Sequence, residues 1–329
     1  MQISAGAQGC GTEPRTGRAG TVESMTLVVS VPTAELARDL EPLPDGVEVI
    51  VWEMDAPPPR AHLDIVVPPY MSGTSGFGHL AGVETRLVQG ESIGYEGIGA
   101  KLPPGVVFAN AATVHETSTA ELAVGLTLAV QRHLDDFARD TTAGRWAPTY
   151  AQSLADRRVL LLGYGGVGKA VARRLAPFEV DLVPVASHAR VEDGVSVHGI
   201  DELAELLPSA EIVILTLPGG DATRHIIGEA ELAALPDGAL VVNVGRGPLI
   251  DTDALVRHTA AGRIRAALDV TDPEPLPAGH PLWSSPGVLI SPHVGGASSA
   301  MHPRIAALVR RQIDHLLAGE EPENIVIRT

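Results

Sequence analysis

The chain has 329 residues, 45% hydrophobic and 19% charged, with a formal net charge of −16. That composition suits two medium-sized domains, and the acidic excess disfavours nucleic acid and anionic membranes as partners. The lone cysteine, Cys10, excludes an intrachain disulfide, which fits a reducing compartment or simply no need for one; no apolar run could span a bilayer, and a cytoplasmic location is expected.

Residues 1–24 are small, polar and glycine-rich, without the apolar segment of a signal peptide, and are expected to form a disordered tail. Regular patterning starts at Met25. Short β-branched runs at 26–31, 47–52, 64–67, 87–89 and 106–109 alternate with turn residues and helical pieces such as 34–40. They read as a small α/β lobe with a parallel sheet. Ser118 and Glu121 have the spacing of a capping box, so a long helix is expected from there to about Asp140, with Leu122, Leu126, Ala129 and Val130 on its apolar face.

A second strand-helix series follows, with strands at 158–162, 181–185, 212–215, 239–243, 264–269 and 288–290. Six buried strands with helical crossovers make a doubly wound sheet. A final helix, 300–317, has no strand expected after it and returns to the first lobe. The predicted fold is α/β, with two Rossmann-like or flavodoxin-like lobes. A nucleotide domain, 117–299, is inserted into a discontinuous substrate domain, 25–116 and 300–329.

Gly163-x-Gly165-x-x-Gly168 lies between the strand at 158–162 and a helix. The first glycine permits the tight turn, the second lets backbone approach a pyrophosphate, and the third lets helix pack on strand. The helix N-terminus supplies amide donors. The next strand ends at Ala186, where an NAD site usually carries an acid for the ribose hydroxyls. Without that acid nothing there repels a 2′-phosphate. Ser187, His188 and Arg190 either bind such a phosphate or form a solvated loop. NADP is expected as the preferred cofactor, with NAD as the alternative; no metal is expected.

Three later residues carry the chemistry. Reduction of a 2-keto acid needs a cation for the carboxylate and ketone, an acid for the developing alkoxide, and a group that keeps that acid charged. Arg246 in VVNVGRGPLID suits the first task by its donor fork. His293 in SPHVGG suits the second, because imidazole titrates near neutral pH. Glu274 in ALDVTDPEPL suits the third, since a nearby carboxylate raises an imidazole pKa. Each alone has an ordinary structural reading, but all three follow successive strands of a nucleotide domain, where such folds place ligands.

With GYGGVGKAVARRL, VNVGRGPLIDTDAL, ALDVTDPEPLPAGHPLW and SPHVGGAS, the chain resembles the D-isomer-specific 2-hydroxyacid dehydrogenases from about Met25 to Ile327, most closely from Thr117 onward. The resemblance implies that Arg246 binds substrate, His293 is the acid/base and Glu274 its partner. It implies cofactor contacts at Gly166, Val167, Pro218, Thr223, Gly245, Asp269 and Gly295, with Asp269 near the nicotinamide amide. The substrate carboxylate would meet backbone amides of Ser92, Ile93, Gly94 and Tyr95, with Tyr70 and Met71 lining the pocket or simply packing. Tyr95-Glu96 stands where the family has Val-Asp, Gly245 where alanine or serine is common, and Thr271 where an aromatic is frequent; these departures bear on the substrate. A homodimer is implied, built on the helix after Ser118 and on residues 141–151, with Ala123, Leu126, Ala129 and Val130 facing the mate.

The expected function is hydride transfer between NAD(P)H and a small 2-keto acid, as in glyoxylate or hydroxypyruvate reductases. The alternatives are a phosphoglycerate dehydrogenase-like enzyme and a nucleotide-sensing, corepressor-like binding protein.

Overall fold

The computed structural model describes residues 26–329; the expected disordered tail at 1–24 lies outside them. The first strands are β1 (Leu27–Val31), β2 (Val47–Val51), β3 (Ile65–Val66), β4 (Leu87–Gln89) and β5 (Val107–Ala109), with helix α1 (Ala34–Asp39) after β1. All five pair in parallel, in the order β2-β1-β3-β4-β5. The order reverses at β1, as in a flavodoxin-like sheet. Alternate residues of β1 feed opposite faces: Leu27, Val29 and Val31 join one apolar cluster and Val28 the other.

Helices α2 (Glu116–Gln131) and α3 (Leu134–Thr142) connect the two sheets. The single long helix expected from Ser118 is therefore two, broken at His133, whose φ of 54° leaves the helical region. Nor does Ser118 cap it. His115 is the cap residue, without a side-chain bond, and the Ser118 hydroxyl lies 2.6 Å from that of Ser298. A capping box needs its serine outside the helix, and Ser118 is inside the first turn.

The second sheet contains β6 (Arg158–Leu162), β7 (Asp181–Ala186), β8 (Arg190–Glu192), β9 (Val195–Gly199), β10 (Ile212–Leu215), β11 (Ala239–Asn243), β12 (Ile264–Leu268) and β13 (Val288–Ile290). Between them run α4 (Gly166–Leu175), α5 (Leu203–Leu206), α6 (Glu229–Ala234) and α7 (Thr252–Ala260). The order is β13-β12-β11-β10-β6-β7-β9-β8, parallel except for the β8–β9 pair, and it reverses at β6. Both faces are covered. Leu160 and Leu162 enter one core cluster, Val159 and Leu161 the other, which is why this strand is continuously apolar. The β8–β9 hairpin falls where the sequence suggested only a loop.

Helix α8 (Met301–Ala318) returns to the first lobe and packs with β1 and α1. Contrary to expectation a strand follows it: β14 (Ile325–Arg328) pairs antiparallel with β5 and closes that edge of the first sheet. Ile325, Val326 and Ile327 are too few to announce a strand alone; the exposed edge of β5 gives them partners.

Candidate active site

Both sheets turn their carboxyl ends toward one cleft. At the end of β6, Gly163 has φ +102° and its carbonyl accepts the Thr216 hydroxyl at 2.9 Å. A Cβ on Gly168 would stand 2.0 Å from the Gly163 carbonyl oxygen, so only glycine lets α4 start this close to the strand. Gly165 is the cap of α4 and makes no side-chain bond, leaving the first amides of the helix turned to the cleft.

A cavity of about 350 Å³ opens there, lined among others by Gly165, Gly166, Val167, Pro218, Gly245, Asp269 and Gly295. Its glycine floor and free helix terminus fit a dinucleotide. Gly163 and Gly168 shape the turn without lining this cavity, and Thr223 braces the wall by donating to the Pro218 carbonyl at 2.9 Å. Ser187, His188 and Arg190 do not line it. Arg190 instead meets the Glu192 carboxylate at 2.8 Å, and Lys169 of α4 pairs with the same carboxylate. That pairing holds the Glu192 carboxyl below its usual range.

The glutamate and histidine expected to act together do meet. Glu274 Oε1 lies 2.5 Å from His293 Nδ1. His293 has φ +54°, a left-handed conformation held because its N–H donates to the Asp269 and Ser291 carbonyls at 2.8 and 3.1 Å. Asp269 anchors the same loop through its buried carboxylate, which accepts from the Ser291 hydroxyl and the Val294 and Gly295 amides at 2.6, 2.9 and 2.8 Å. The bond from Glu274 raises the His293 pKa above the usual imidazole value, and partial burial opposes it less strongly. Burial alone would raise Glu274, yet its contacts, led by the His293 bond, bring its carboxyl below the usual range.

Arg246 follows β11 and reaches across to the first lobe. Its Nε lies 3.2 Å from Glu96 Oε1 and its Nη2 3.4 Å from Oε2. Glu96 also accepts the Gly219 amide at 3.3 Å. Burial would raise Glu96, but the guanidinium holds its carboxyl below normal. A Cβ on Gly94 would stand 1.7 Å from Arg246 Nη2, so the guanidinium lies against the backbone of the 92–95 loop. The amides of Ser92, Ile93, Gly94 and Tyr95 donate no hydrogen bond to protein among the described residues.

A second cavity of about 350 Å³ is lined by Tyr70, Met71, Ser92, Gly94, Arg246, Glu274 and His293, among others. Arg246 and His293 line both cavities, as do Tyr70, Ser92, Gly94 and Glu96. A cation and a proton donor therefore stand where the nucleotide cavity meets the second chamber.

Three features escaped the sequence. Glu91, 8% exposed, lines the chamber, and burial pushes its carboxyl up to about 7. His115 stacks on Tyr70 with ring centroids 5.5 Å apart, and its Nε2 lies 2.5 Å from the Glu91 carbonyl oxygen. Glu116 presses on Gly166: Oε1 accepts the Thr113 amide at 2.6 Å, while Oε2 is buried without a partner among the described residues. Only for Glu91 was there a local signal, a charge two residues beyond the buried strand β4.

Residues 124–295 match the family described as D-isomer specific 2-hydroxyacid dehydrogenase, NAD binding domain. Glyoxylate/hydroxypyruvate reductase B of Pectobacterium carotovorum is 32% identical over 247 residues, 71% of this chain and 77% of that protein. A D-isomer specific 2-hydroxyacid dehydrogenase of Xanthobacter autotrophicus, solved with NADPH and MES, is 28% identical and superposes with a TM-score of 0.76 over 92% of this chain and 98% of that one. The NADPH-dependent glyoxylate/hydroxypyruvate reductase of Sinorhizobium meliloti, solved with NADP and malonate, is 27% identical with a TM-score of 0.75 and the same coverage.

Proposed function

Because the chain belongs to the D-isomer specific 2-hydroxyacid dehydrogenase family, we propose that it reduces a small 2-keto acid of the glyoxylate or hydroxypyruvate class, with NADPH as the favoured cofactor. It is an NAD(P)-dependent oxidoreductase acting on a CH–OH group. One observation carries the residue assignment: Arg246 and His293 line both the nucleotide cavity and the chamber beside it.

The reduced nicotinamide, when bound, supplies the hydride. In the chamber, the Arg246 fork and the free amides of residues 92–95 hold the substrate carboxylate. The same guanidinium, near the ketone, offsets negative charge as it develops on oxygen. His293, kept charged by Glu274, gives its proton to that oxygen. Asp269 holds the histidine loop and the 294–295 backbone in place. Glu96 orients Arg246 from across the cleft.

Three finer readings belong to the same proposal. The domain division is 25–116 with 300–329 for substrate and 117–299 for nucleotide. NADPH is favoured because Ala186 ends β7 without an acid and because Lys169 and Arg190 converge beside it on Glu192, a carboxylate that a 2′-phosphate could replace as their partner. The enzyme is a cytoplasmic homodimer, although not through the face first expected. Ala123, Leu126 and Val130 pack inside the chain against the core that includes α4, so they cannot meet a mate. The large apolar residues exposed on α3 and in the segment 143–151 after it are Leu134 (51%), Phe137 (36%), Trp146 (97%) and Tyr150 (99%), and these are the ones for a symmetric contact to cover.

The test is NADPH oxidation with glyoxylate, hydroxypyruvate and pyruvate, by wild type and by Arg246→Ala. Turnover by wild type with a large loss in the variant supports the reading; no turnover of any keto acid, in the presence of bound NADPH, overturns it.

A further inference from the structure

Glu91 has no place in the chemistry described, and its position calls for one. It follows β4 at the floor of the first lobe and is 8% exposed. Among the described residues no ion pair includes it, although Arg246 shares its chamber. Burial, and after it the charge of Glu91, raises the pKa of the Tyr70 phenol. The Glu91 main-chain carbonyl is held 2.5 Å from His115 Nε2, which ties it to the start of α2. Phe77, Phe108, Ile98 and Met71 supply apolar wall to the same chamber, which also holds the charged Arg246, Glu274 and His293. An acid kept without a cation in such surroundings repels a second anion far more strongly than it would in water, while it accepts a hydrogen bond from a neutral donor.

We propose that Glu91 sets the substrate range: it admits keto acids whose far end is neutral or donates a hydrogen bond, and rejects those whose far end is a second anion. This rests on the 2-keto acid reading above and narrows it. With the substrate's carboxylate held by Arg246 and the 92–95 amides, the rest of a short chain extends into the chamber whose lining includes Glu91. A hydroxymethyl group can donate there; a carboxylate or phosphate meets like charge. Discrimination by repulsion of the wrong ligand is a general route to specificity. It also separates this chain from an enzyme for phosphorylated hydroxy acids.

The experiment is the ratio of kcat/KM for hydroxypyruvate to that for oxaloacetate, with NADPH, in wild type, Glu91→Gln and Glu91→Asp. The wild-type ratio should exceed about tenfold. Glu91→Gln, which keeps size and removes charge, should narrow it by tenfold or more, chiefly by improving oxaloacetate, a gain that damaged folding does not produce. Glu91→Asp should stay near wild type. An unchanged ratio in Glu91→Gln, or an equal narrowing in Glu91→Asp, overturns the proposal.

Wild type offers a variant-free arm. Since burial lifts the Glu91 carboxyl to about 7, rejection of oxaloacetate should strengthen as pH rises through 7. Tyr70, His115, Glu96, Arg246 and the Glu274–His293 pair also face this chamber or pack beside it, and His302 faces Glu91 across a further cavity. Groups that act on the shared keto-acid end affect both substrates alike and cancel in the ratio. A ratio independent of pH in wild type and unmoved in Glu91→Gln leaves the carboxylate no role. If wild type reduces neither substrate, the 2-keto acid reading falls. Calorimetric titration of the NADPH-loaded protein with oxamate, a monoanion, and 2-oxoglutarate, a dianion, then judges Glu91 by itself. Preference for oxamate that Glu91→Gln abolishes supports it, and equal or absent binding overturns it.

Discussion

Glu274 Oε1 and His293 Nδ1 stand 2.5 Å apart although 19 residues of chain separate them. The contact exists because His293 takes a left-handed backbone conformation, fixed from below by the Asp269 and Ser291 carbonyls, and so faces back across the strand ends. It makes the imidazole a stronger base than it would be free in water, which is the property a proton donor needs at neutral pH.

That contact has a signed consequence for pH. The His293 pKa is raised, so the protonated donor persists to higher pH and keto-acid reduction falls only as pH rises through that raised value. Glu274→Gln removes the largest cause of the shift. The falling limb of kcat against pH should move to lower pH, with turnover at acid pH reduced far less than turnover at alkaline pH. An unmoved limb, with chemistry rate-limiting, would separate Glu274 from the titration.

Replacing His293 by Asn preserves approximate volume and removes the proton. Turnover should fall by roughly a hundredfold or more, the usual contribution of general acid catalysis. NADPH affinity, read by fluorescence titration, should stay within a few-fold, because the glycine turn and α4 do not depend on the imidazole. Near-equal turnover in the two proteins would remove His293 from the mechanism.

Cofactor choice should respond to the end of β7. Ala186→Asp places a carboxylate there, next to the Lys169–Glu192–Arg190 cluster, and like charge weakens 2′-phosphate binding. The ratio of kcat/KM for NADPH to that for NADH should fall by about tenfold or more, given that close charges are worth at least ~1.4 kcal/mol outside bulk water. Better efficiency with NADH in the wild type would show that this loop does not read the phosphate.

For assembly, Trp146 and Tyr150 are almost wholly exposed. A dimer through α3 and the segment that carries these two residues should scatter light with twice the chain mass at micromolar concentration. Trp146→Asp should shift it toward monomer, since a charge in a buried apolar contact is costly. A monomeric wild type would refute the assembly.

Much of the site was legible because its signals are local. A glycine triplet between strand and helix reads as a phosphate turn from sterics alone, and Gly163 takes a φ that only glycine adopts readily. Arginine, glutamate and histidine after successive strands could be assigned roles because in a parallel sheet all those ends share one side. Short β-branched apolar runs bounded by turn residues likewise marked most strands. The helix after Ser118 was misjudged because a serine with a glutamate three residues on has capping spacing inside a helix as well as before one. The final strand was missed because its hydrogen bonds come entirely from β5, more than 200 positions away in the chain.

What the sequence determined by itself was the kind of chemistry: side-chain types, turn glycines and short apolar runs are properties of a few neighbouring residues. Only the tertiary structure decided who faces whom. Glu96 meets Arg246 across 150 residues of chain, and Glu91 comes into the same chamber from the other lobe. Ala123 and Leu126 turned inward rather than toward a partner. The first two outcomes depend on how the two sheets present their carboxyl ends to one cleft, and the third on how α2 packs against α4 and the second sheet. Burial and the nearest opposite charge, which set the behaviour of every carboxylate there, follow from that packing rather than from any short stretch of sequence.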